Sequence, residues 1–312
     1  MNRGEGGRGL TAIVISLADD PRLIPCLEAL AAQAPPDLEL AVVENAAAGA
    51  PPELPLPPAL RVRRAANPGF AASAEEAVRS TRGAEVLFLN PDCRLLPGAL
   101  ERARAALGAE ADVGGVAFRL LRPEGEILDS AGIRLGFLRR ARDRGMGRPA
   151  AGRHLVRESV DAACLAGALF DRRALLAARD GAGEVIDTRF FAYKEDVDLG
   201  WRLRRAGFRI LYEPEARAVH ERGWREGARR GIPLRLRRLS LRNRWLCILK
   251  NESLAGMIVR LPFFVLSESV LAGWLLAREA RVLAGYAMIL SEFGATLARR
   301  GLWEDGKNHG RV

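Results

Sequence analysis

The regular pattern of the chain opens with the apolar run Ala12-Ile13-Val14-Ile15-Ser16-Leu17. A continuous apolar run of this length is typical of a strand that is buried on both faces of a sheet. The segment Asp19-Asp20-Pro21 follows directly, and we predict a helix there with Asp20 as its N-cap and Pro21 in its first position. A buried strand that leads at once into a helix indicates an α/β protein.

The same alternation of strand and helix continues along the chain. Strands are predicted at Leu38–Val43, Leu60–Arg63, Val86–Leu89 and Val113–Leu121, and helices at Ala71–Thr81 and Pro97–Leu107. The proline-rich segment Ala46–Pro58 is predicted to be irregular, because proline interrupts both helix and sheet. Repeated β-α-β units imply a mostly parallel sheet with helices on both faces.

Polar residues stand where two of these strands end. Glu44-Asn45 closes the second strand, and Asn90-Pro91-Asp92 follows the strand Val86–Leu89. In sheets of this kind, ligands bind beyond the carboxyl ends of the strands. We therefore expect both groups to face a common crevice.

The alternation of predicted strands and helices is less regular in the middle of the chain. Gly125–Phe137 indicates a strand or a hairpin, and the Arg- and Gly-rich segment Leu138–Glu158 predicts a mobile loop. An apolar run follows at Val160–Phe170. Beyond it we predict a short helix near Arg173–Ala178 and strands at Phe208–Tyr212 and Ala216–His220.

A cluster of acidic residues begins the amphipathic segment that ends at Gly207. Glu195, Asp196 and Asp198 place three carboxylates within four positions. Carboxylates this close repel one another, which raises the pKa of at least one of them and produces a candidate general base. The alternative is an ordinary acidic helix start, where carboxylates favour the positive end of the helix dipole.

Composition limits the class of protein. The chain has 312 residues, of which 49% are hydrophobic, enough for one sizeable core or for a core with an appendage. The net charge of +10 comes almost entirely from arginine. Either an anionic partner surface or the arginine bias of a GC-rich genome explains it.

The cysteines and the N-terminus indicate a compartment. Four cysteines lie far apart and form no Cys-x-x-Cys pair, which indicates a reducing environment and no zinc site. Residues 1–9 lack the apolar core of a signal peptide, so we expect a cytoplasmic protein.

The C-terminal third combines arginine with apolar residues. Arg225–Arg244 is dense in arginine, and Leu254–Leu297 is strongly apolar but is interrupted by charges, so that no charge-free run reaches the length of a spanning helix. Such a region suits an anionic membrane surface at the inner face of the plasma membrane. The alternative is a helical appendage that packs on the core or forms a homodimer interface. Nucleic-acid binding is not expected, because no reader fold is recognisable.

Five motifs in order resemble those of the family 2 glycosyltransferases of the GT-A fold, in particular the bacterial rhamnosyltransferase-like branch. The motifs are Ala12–Leu17, Val43-Glu44-Asn45, Asn67-Pro68-Gly69-Phe70-Ala71, Leu89-Asn90-Pro91-Asp92, and Phe190–Leu199 with its continuation to Gly207 and Val219-His220. The resemblance covers roughly residues 11 to 223. It implies a GT-A domain over 11–224, between a flexible N-terminus (1–10) and a helical appendage (225–300) with a flexible tail (301–312).

The resemblance also implies roles for individual residues. Asp92 and His220 correspond to metal ligands for Mg²⁺ or Mn²⁺, which accept hard oxygen ligands. Asp196 corresponds to the catalytic base, with Glu195 positioning acceptor or donor. Asn90 replaces the first aspartate of the family's DxD motif and is expected to contact the ribose or sugar of the donor.

Further residues are implied to bind the donor. Glu44 and Asn45 stand where the family contacts the nucleobase, and Asn67 and Gly69 stand near the donor phosphate or nucleoside. Gly167 corresponds to a segment near the donor sugar. For Glu44, Gly69 and Gly167 an ordinary structural role is the alternative. For Asp92 the alternative is a turn residue after Pro91, and for His220 it is a structural histidine at a strand end. The chain departs from the family pattern at residues 16–18 and at Glu44.

The sequence thus predicts an inverting transferase that uses a dTDP- or UDP-linked sugar and a saccharide or lipid-linked saccharide acceptor in cell-surface polysaccharide synthesis. The alternative is an inactive GT-A module that binds nucleotide-sugar or glycan. A nucleotidyltransferase is disfavoured, because no glycine- and lysine-rich phosphate-binding signature follows the first strand.

Overall fold

The computed structural model describes residues 9–222 and 231–300. Its strands are β1 (Leu10–Leu17), β2 (Leu38–Asn45), β3 (Leu60–Arg64), β4 (Glu85–Leu89), β5 (Cys93–Leu95), β6 (Val113–Leu121), β7 (Leu128–Ser130), β8 (Ile133–Leu135), β9 (Ala141–Asp143), β10 (Glu158–Val160), β11 (Gly167–Asp171) and β12 (Arg209–His220). Its helices are α1 (Leu23–Ala31), α2 (Phe70–Ser80), α3 (Ala99–Gly108), α4 (Arg172–Ala177), α5 (Glu195–Arg205), α6 (Leu234–Asn251), α7 (Leu254–Arg278), α8 (Ala284–Ser291) and α9 (Phe293–Ala298).

A ten-stranded sheet organises these elements, in the order β10-β12-β6-β11-β4-β1-β2-β3, with β5 paired to β12 and β7 to β6. The pairs β4–β1, β1–β2, β2–β3 and β6–β12 are parallel, and β11 runs antiparallel to both β4 and β6. Strands β1, β2, β4, β6 and β12 therefore share one direction and end at one edge of the sheet. This arrangement confirms the predicted α/β fold with a mostly parallel sheet and a C-terminal helical region.

Two apolar clusters cover the opposite faces of the sheet, because successive strand residues point to opposite sides. One cluster contains Ile13 and includes residues of α2, α4, α5 and α6, whereas the other contains Val14 and includes residues of α1 and α3. Leu246 and Cys247 of α6 are buried in the first cluster, so this helix packs on the sheet domain itself. The predicted domain boundary at residue 224 stays a prediction.

The predicted start of the first helix is wrong. The helix begins at Leu23, and Arg22 is the N-cap residue without a side-chain cap bond. The Asp20 carboxylate instead accepts hydrogen bonds from the Arg22 backbone N–H at 3.0 Å and from its Nε at 2.8 Å. The neighbouring guanidinium therefore engages the side chain that was expected to cap the helix.

The segment Leu138–Glu158 is not the structureless loop that its composition predicted. It contains β9, which pairs with β8, and its arginines tie it to other parts of the chain: Arg144 donates to Ala131 O at 2.8 Å and Arg157 to Glu213 Oε2 at 2.7 Å. The two strands predicted at 208–212 and 216–220 are one strand, β12, whose register shifts between Glu213 and Arg217. Pro214 causes a bulge there rather than a break, since proline is tolerated at bulges.

The longest helix of the C-terminal region is strongly apolar and is interrupted by Arg260 and Glu268, as its sequence predicted. Helix α7, Leu254–Arg278, has 25 residues and is long and apolar enough to cross a membrane by length and composition alone. The predicted flexible ends lie outside the described residues apart from positions 9 and 10, and so do Arg229 and Arg230 of the arginine-rich segment.

Candidate active site

The carboxyl-end edge of the sheet carries a cavity of about 650 Å³. Its lining includes Asn90, Asp92, Glu195, Asp196 and His220. Strand β4 ends immediately before Asn90, and β12 ends at His220, which is paired with Cys93 of β5. Because β4 and β12 run in the same direction, the topology joins residues that are far apart in sequence. Five of the ten predicted site residues therefore meet in this cavity.

Asp92 and His220 form one end of a polar chain. The His220 Nε2 atom lies 3.4 Å from Asp92 Oδ1, and His220 Nδ1 lies 2.7 Å from Asp129 Oδ2. Burial alone lowers the pKa of His220, but the hydrogen bonds to Asp129 and Asp92 outweigh it and raise the pKa to about 9. Without a bound cation, the ring is therefore an imidazolium between two carboxylates at neutral pH.

The same atoms fit a divalent cation. Asp92 Oδ1 is buried and makes no hydrogen bond among the described residues that is shorter than its 3.4 Å contact with His220 Nε2, so a hard ligand oxygen stands beside an imidazole nitrogen at the cavity wall. Asp129 holds Nδ1 of His220, which leaves Nε2 directed toward Asp92, and a carboxylate that bonds the far ring nitrogen in this way fixes the orientation of a histidine ligand. Carboxylate, imidazole and substrate oxygens suit Mn²⁺ or Mg²⁺.

Sequence reasoning missed the residues that support this pair. Arg222 contacts Asp129 at 2.8 Å and Asp143 at 3.0 Å, and both Arg222 and Asp143 line the cavity. Arg222 is only two positions after the predicted ligand His220, so its place in the sequence could have identified it as a site residue. Asp129 and Asp143 lie in short strands that had no motif, so only the fold reveals them.

Glu195 and Asp196 occupy another part of the cavity wall, at the start of α5. Burial, and for Glu195 also the neighbouring Asp196, raises the pKa of both carboxyls above the ordinary range. Glu195 Oε2 is buried without a hydrogen-bond partner within the described ranges. The third carboxylate, Asp198, has another role: it contacts Arg202 at 2.8 Å and Lys250 at 2.7 Å and braces the helix.

The backbone that leads into this pair is strained. Phe191, Tyr193 and Lys194 have φ values of 63°, 71° and 72°, in the left-handed region that non-glycine residues seldom adopt. Such strain costs about 1–3 kcal/mol per residue and persists only where surrounding contacts impose it. Gly69 packs directly against this segment. A Cβ at position 69 would lie only 2.5 Å from the carbonyl oxygen of Phe191, so only glycine allows this approach.

Asn243 of α6 supplies a second constraint on the strained segment. Its Nδ2 group donates to the carbonyls of Phe190, Ala192 and Tyr193 at 2.9, 2.9 and 2.7 Å. Arg242 Nε donates to Asn243 Oδ1 at 2.9 Å and fixes the amide. Helix α6 thus determines where the turn before Glu195 lies.

We expect Asn243→Ala to lower kcat by about 100-fold, because small displacements of catalytic groups have effects of this size. The matched control is Asn251→Ala, since Asn251 is also buried in α6 but bonds to Asp198 Oδ1 at 2.7 Å. Both variants should lose about 1–3 kcal/mol of stability. Steady-state kinetics and denaturant unfolding separate the two effects, and an equal loss of kcat in both variants would contradict the positioning role.

The pH dependence of activity provides a separate test. The pKa of Asp196 is raised to about 6, mainly by burial, and only its ionised form can accept a proton. We expect kcat/KM to rise with pH through this region and to fall about tenfold per unit below it. Asp196→Glu should keep a pH-dependent rate with a displaced midpoint. A flat profile between pH 5 and pH 8, within about a factor of two, would be inconsistent with a carboxylate base.

Glu44 and Asn45 lie away from the main cavity. Glu44 lines a separate cavity of about 230 Å³ together with Asp19 and Asp20. Both of its carboxylate oxygens are engaged, by Arg61 at 2.9 Å and by Arg63 at 3.0 Å. Asn45 is buried and donates to Ser73 Oγ on α2 at 2.8 Å.

The remaining donor candidates have local structural contacts. Asn67 Oδ1 accepts a hydrogen bond from Gly69 N at 2.9 Å and shapes the turn before α2. Gly167 starts β11, where a Cβ would lie 3.0 Å from Leu120 Cδ2. Phe70, next to Gly69, and Ala166, next to Gly167, line the main cavity. A donor role for these residues stays a prediction.

One acidic cluster among the described residues lies outside the cavity. Asp180, Glu184 and Asp187 have ligand atoms within 4.8 Å of one another. Lys250 reaches Asp187 at 2.9 Å, and Arg299 reaches both Asp180 and Asp187 at 3.2 Å. Internal cations therefore already neutralise this cluster.

Comparison with solved structures shows the same architecture. A mannosyltransferase from Pyrobaculum calidifontis, solved with GDP-Man and Mn²⁺, aligns with a TM-score of 0.54 at 19% identity over 94% of this chain and 81% of that one. GalNAc-T7, solved with UDP, GalNAc and Mn²⁺, aligns with a TM-score of 0.57 at 10% identity over 79% of this chain and 48% of that one. At these identities the likeness shows the fold alone.

The fold is that of the GT-A class. Residues 8–248 match the profile described as glycosyltransferase like family 2, and the chain belongs to that family. A short match adds detail: N-acetylglucosaminyl-diphospho-decaprenol L-rhamnosyltransferase of Mycobacterium tuberculosis is 44% identical over 55 residues. That match covers 17% of this chain and 18% of the relative.

Proposed function

We propose that this family 2 glycosyltransferase is metal-dependent and inverting, and that it transfers rhamnose from a dTDP- or UDP-linked donor to a saccharide or lipid-linked saccharide acceptor. The reaction would contribute to cell-surface polysaccharide synthesis at the cytoplasmic side of the membrane. One observation carries the proposal: the carboxylates Glu195 and Asp196 line the same cavity as Asp92 and His220. A base and a candidate metal site in one cavity are the two requirements of such a transfer.

The carboxylate pair supports the acceptor half of the reaction. In an inverting transfer, an acceptor hydroxyl attacks the anomeric carbon on the side opposite the leaving diphosphate, and its proton needs a base. Asp196 takes this proton, because burial brings its pKa closer to neutral pH and strengthens it as a base. Because the pKa of Glu195 is raised, its carboxyl group keeps a proton and donates a hydrogen bond to a hydroxyl of the acceptor or the donor.

The Asp92–His220 end of the cavity supports the donor half. These two side chains would hold Mn²⁺ or Mg²⁺, and a divalent cation there neutralises charge on the departing diphosphate. Four basic side chains line the same cavity and add positive charge: Arg142, Lys194, Arg222 and Arg237. Two similar structures were solved with Mn²⁺, which supports this metal in the proposal.

Rhamnose and a lipid-linked acceptor rest on narrower support. The mycobacterial relative is named as a rhamnosyltransferase, and the name of its acceptor, N-acetylglucosaminyl-diphospho-decaprenol, is that of a lipid-linked sugar. The match is local, so both features are proposals for this chain. The arginine-rich composition is compatible with a diphosphate-bearing acceptor.

A transfer assay tests the proposal. The full chain is incubated with dTDP-rhamnose, UDP-linked sugars or GDP-mannose, with a short-chain polyprenyl diphosphate-GlcNAc acceptor, and with or without Mn²⁺. We expect a rhamnosylated product from dTDP-rhamnose with inverted anomeric configuration and only in the presence of metal. Binding of a nucleotide diphosphate without turnover of any donor would instead indicate an inactive module.

A further inference from the structure

Helix α7 presents an apolar surface that no described part of the chain covers. Ten of its large apolar side chains are 46–69% accessible, namely Leu254, Ile258, Val259, Leu261, Phe263, Val265, Leu266, Val270, Trp274 and Leu276. By contrast, Phe264 and Leu275 are almost fully buried. An exposed apolar surface of this extent on a soluble protein marks an interaction site.

Apart from Arg278 at its C-terminal end, the charged residues of α7 lie on the side that faces the protein. Between Leu254 and Ala277 the helix contains two charged residues, Arg260 and Glu268, which are eight positions apart and therefore on one face. Arg260 Nε donates to Phe137 O at 3.1 Å. Glu268 accepts from Arg244 at 2.6 Å and from Tyr286 at 2.7 Å.

This distribution is the reverse of that of a surface helix in water, whose polar side faces outward. The charged side chains of Arg260 and Glu268, which would be hydrated on a helix that faces water, are turned inward. The outward face carries no charge before Arg278. An apolar phase outside the protein explains this pattern.

The attachment of α7 to the body determines its orientation. Contacts hold it along its length, from Arg260 through Phe264, which packs on Trp245 with ring centroids 5.5 Å apart, to Leu275 in a cluster with Leu241. A spanning orientation would carry the charged residues that touch the helix into hydrocarbon, at a cost of several kcal/mol. The helix therefore lies in the plane of the interface.

Basic and aromatic side chains border the apolar face. Phe137 is 53% exposed and packs edge-on against Phe263. Arg140 of the same segment has 40% of its side chain exposed, and Arg278 and Arg281 are exposed at the other end of the helix. Positive charge at the rim of an apolar face is complementary to anionic lipid headgroups.

We infer that the outward face of α7, together with Phe137, docks into one leaflet of an anionic bilayer and keeps the protein monotopic. The cavity wall includes Leu236 and Arg237 of α6, and Arg237 contacts Glu279 at 2.9 Å just beyond α7. Docking would therefore bring the catalytic cavity close to the membrane surface. The inference does not depend on the sugar transferred.

Vesicle binding of the full chain tests this inference. We expect co-sedimentation with phosphatidylcholine–phosphatidylglycerol vesicles, weakened by high salt because headgroup attraction is screened. Leu266→Glu/Val270→Glu should bind at least about 100-fold more weakly, since burial of each apolar side chain is worth about a factor of ten or more. Both side chains are more than half exposed, so folding and nucleotide binding should persist.

The matched control is Ala105→Glu/Ala109→Glu, which adds the same charge at an exposed position of α3 and at its exposed C-cap, on the opposite face of the sheet. It should bind vesicles like the unaltered chain. Quenching of Trp274 fluorescence should occur with lipids brominated near the headgroup but not at the chain ends. Absence of vesicle binding, equal binding by both double variants, or loss of a homodimer in the α7 variant without vesicle binding would overturn the inference.

Discussion

Asp196→Asn is expected to lower kcat by about 10²–10⁴-fold, the range that general base catalysis contributes, while donor affinity changes little. The amide has the shape of the carboxylate but cannot accept the acceptor proton. Burial raises the pKa of Asp196 above its unfolded value, so the folded state binds more protons and loses stability as pH rises through that interval. The neutral amide avoids this cost, and the variant should melt at the same or a higher temperature at pH 7.

Two comparisons make this prediction specific. Glu195→Gln should reduce kcat less, by about tenfold, because Glu195 positions rather than accepts the proton. Asp112→Asn makes the same chemical change at a half-exposed carboxylate that contacts Arg209 at 2.6 Å, far from the cavity, and should leave kcat unchanged. If Asp196→Asn retained full turnover, Asp196 would not be the base.

Asp92→Ala is expected to abolish the response to metal and to lower kcat/KM by about 10²–10³-fold. A metal ion stabilises charge on the leaving diphosphate by several kcal/mol, and each 1.4 kcal/mol is about tenfold in rate. The substitution removes the buried oxygen that faces His220 Nε2 and leaves the His220–Asp129 contact intact. Turnover measured against Mn²⁺ concentration gives the comparison.

The control for this variant is Glu184→Gln in the acidic cluster outside the cavity. Arg299 contacts that carboxylate, so the cluster is satisfied internally, and the variant should keep its full response to Mn²⁺. A loss of metal response in Glu184→Gln, with none in Asp92→Ala, would move the metal site to the cluster.

The fold could be predicted because its main signals are local. Apolar runs such as Ala12–Leu17, separated by helical stretches, define parallel strands without knowledge of distant contacts. The errors have equally local causes: Arg22 engages the expected cap Asp20, and Pro214 produces a bulge within β12 rather than its end. Arginine in Leu138–Glu158 indicated a loop, although the guanidinium groups of Arg144 and Arg157 tie that segment to Ala131 O and to the Glu213 carboxylate.

The site could be predicted only in part. Residues at strand ends, such as Asp92 and His220, meet because parallel strands end at one edge, a rule that sequence alone can apply. Asn243 and Asp129 act through partners at distant sequence positions, and nothing in their surroundings indicates this. The side of α7 on which Arg260 and Glu268 lie became clear only from its packing.

Calorimetric titration with nucleotide diphosphates tests the central claim most directly, namely that the cavity at the sheet edge is a metal-assisted donor site. The chain is titrated with dTDP, UDP, GDP and CDP, each with and without Mn²⁺. We expect dTDP or UDP to bind tightly only with Mn²⁺, and Asp92→Ala to remove that dependence while Asp196→Asn retains it. Binding that is indifferent to both the metal and Asp92, or no binding of any nucleotide, would contradict the claim.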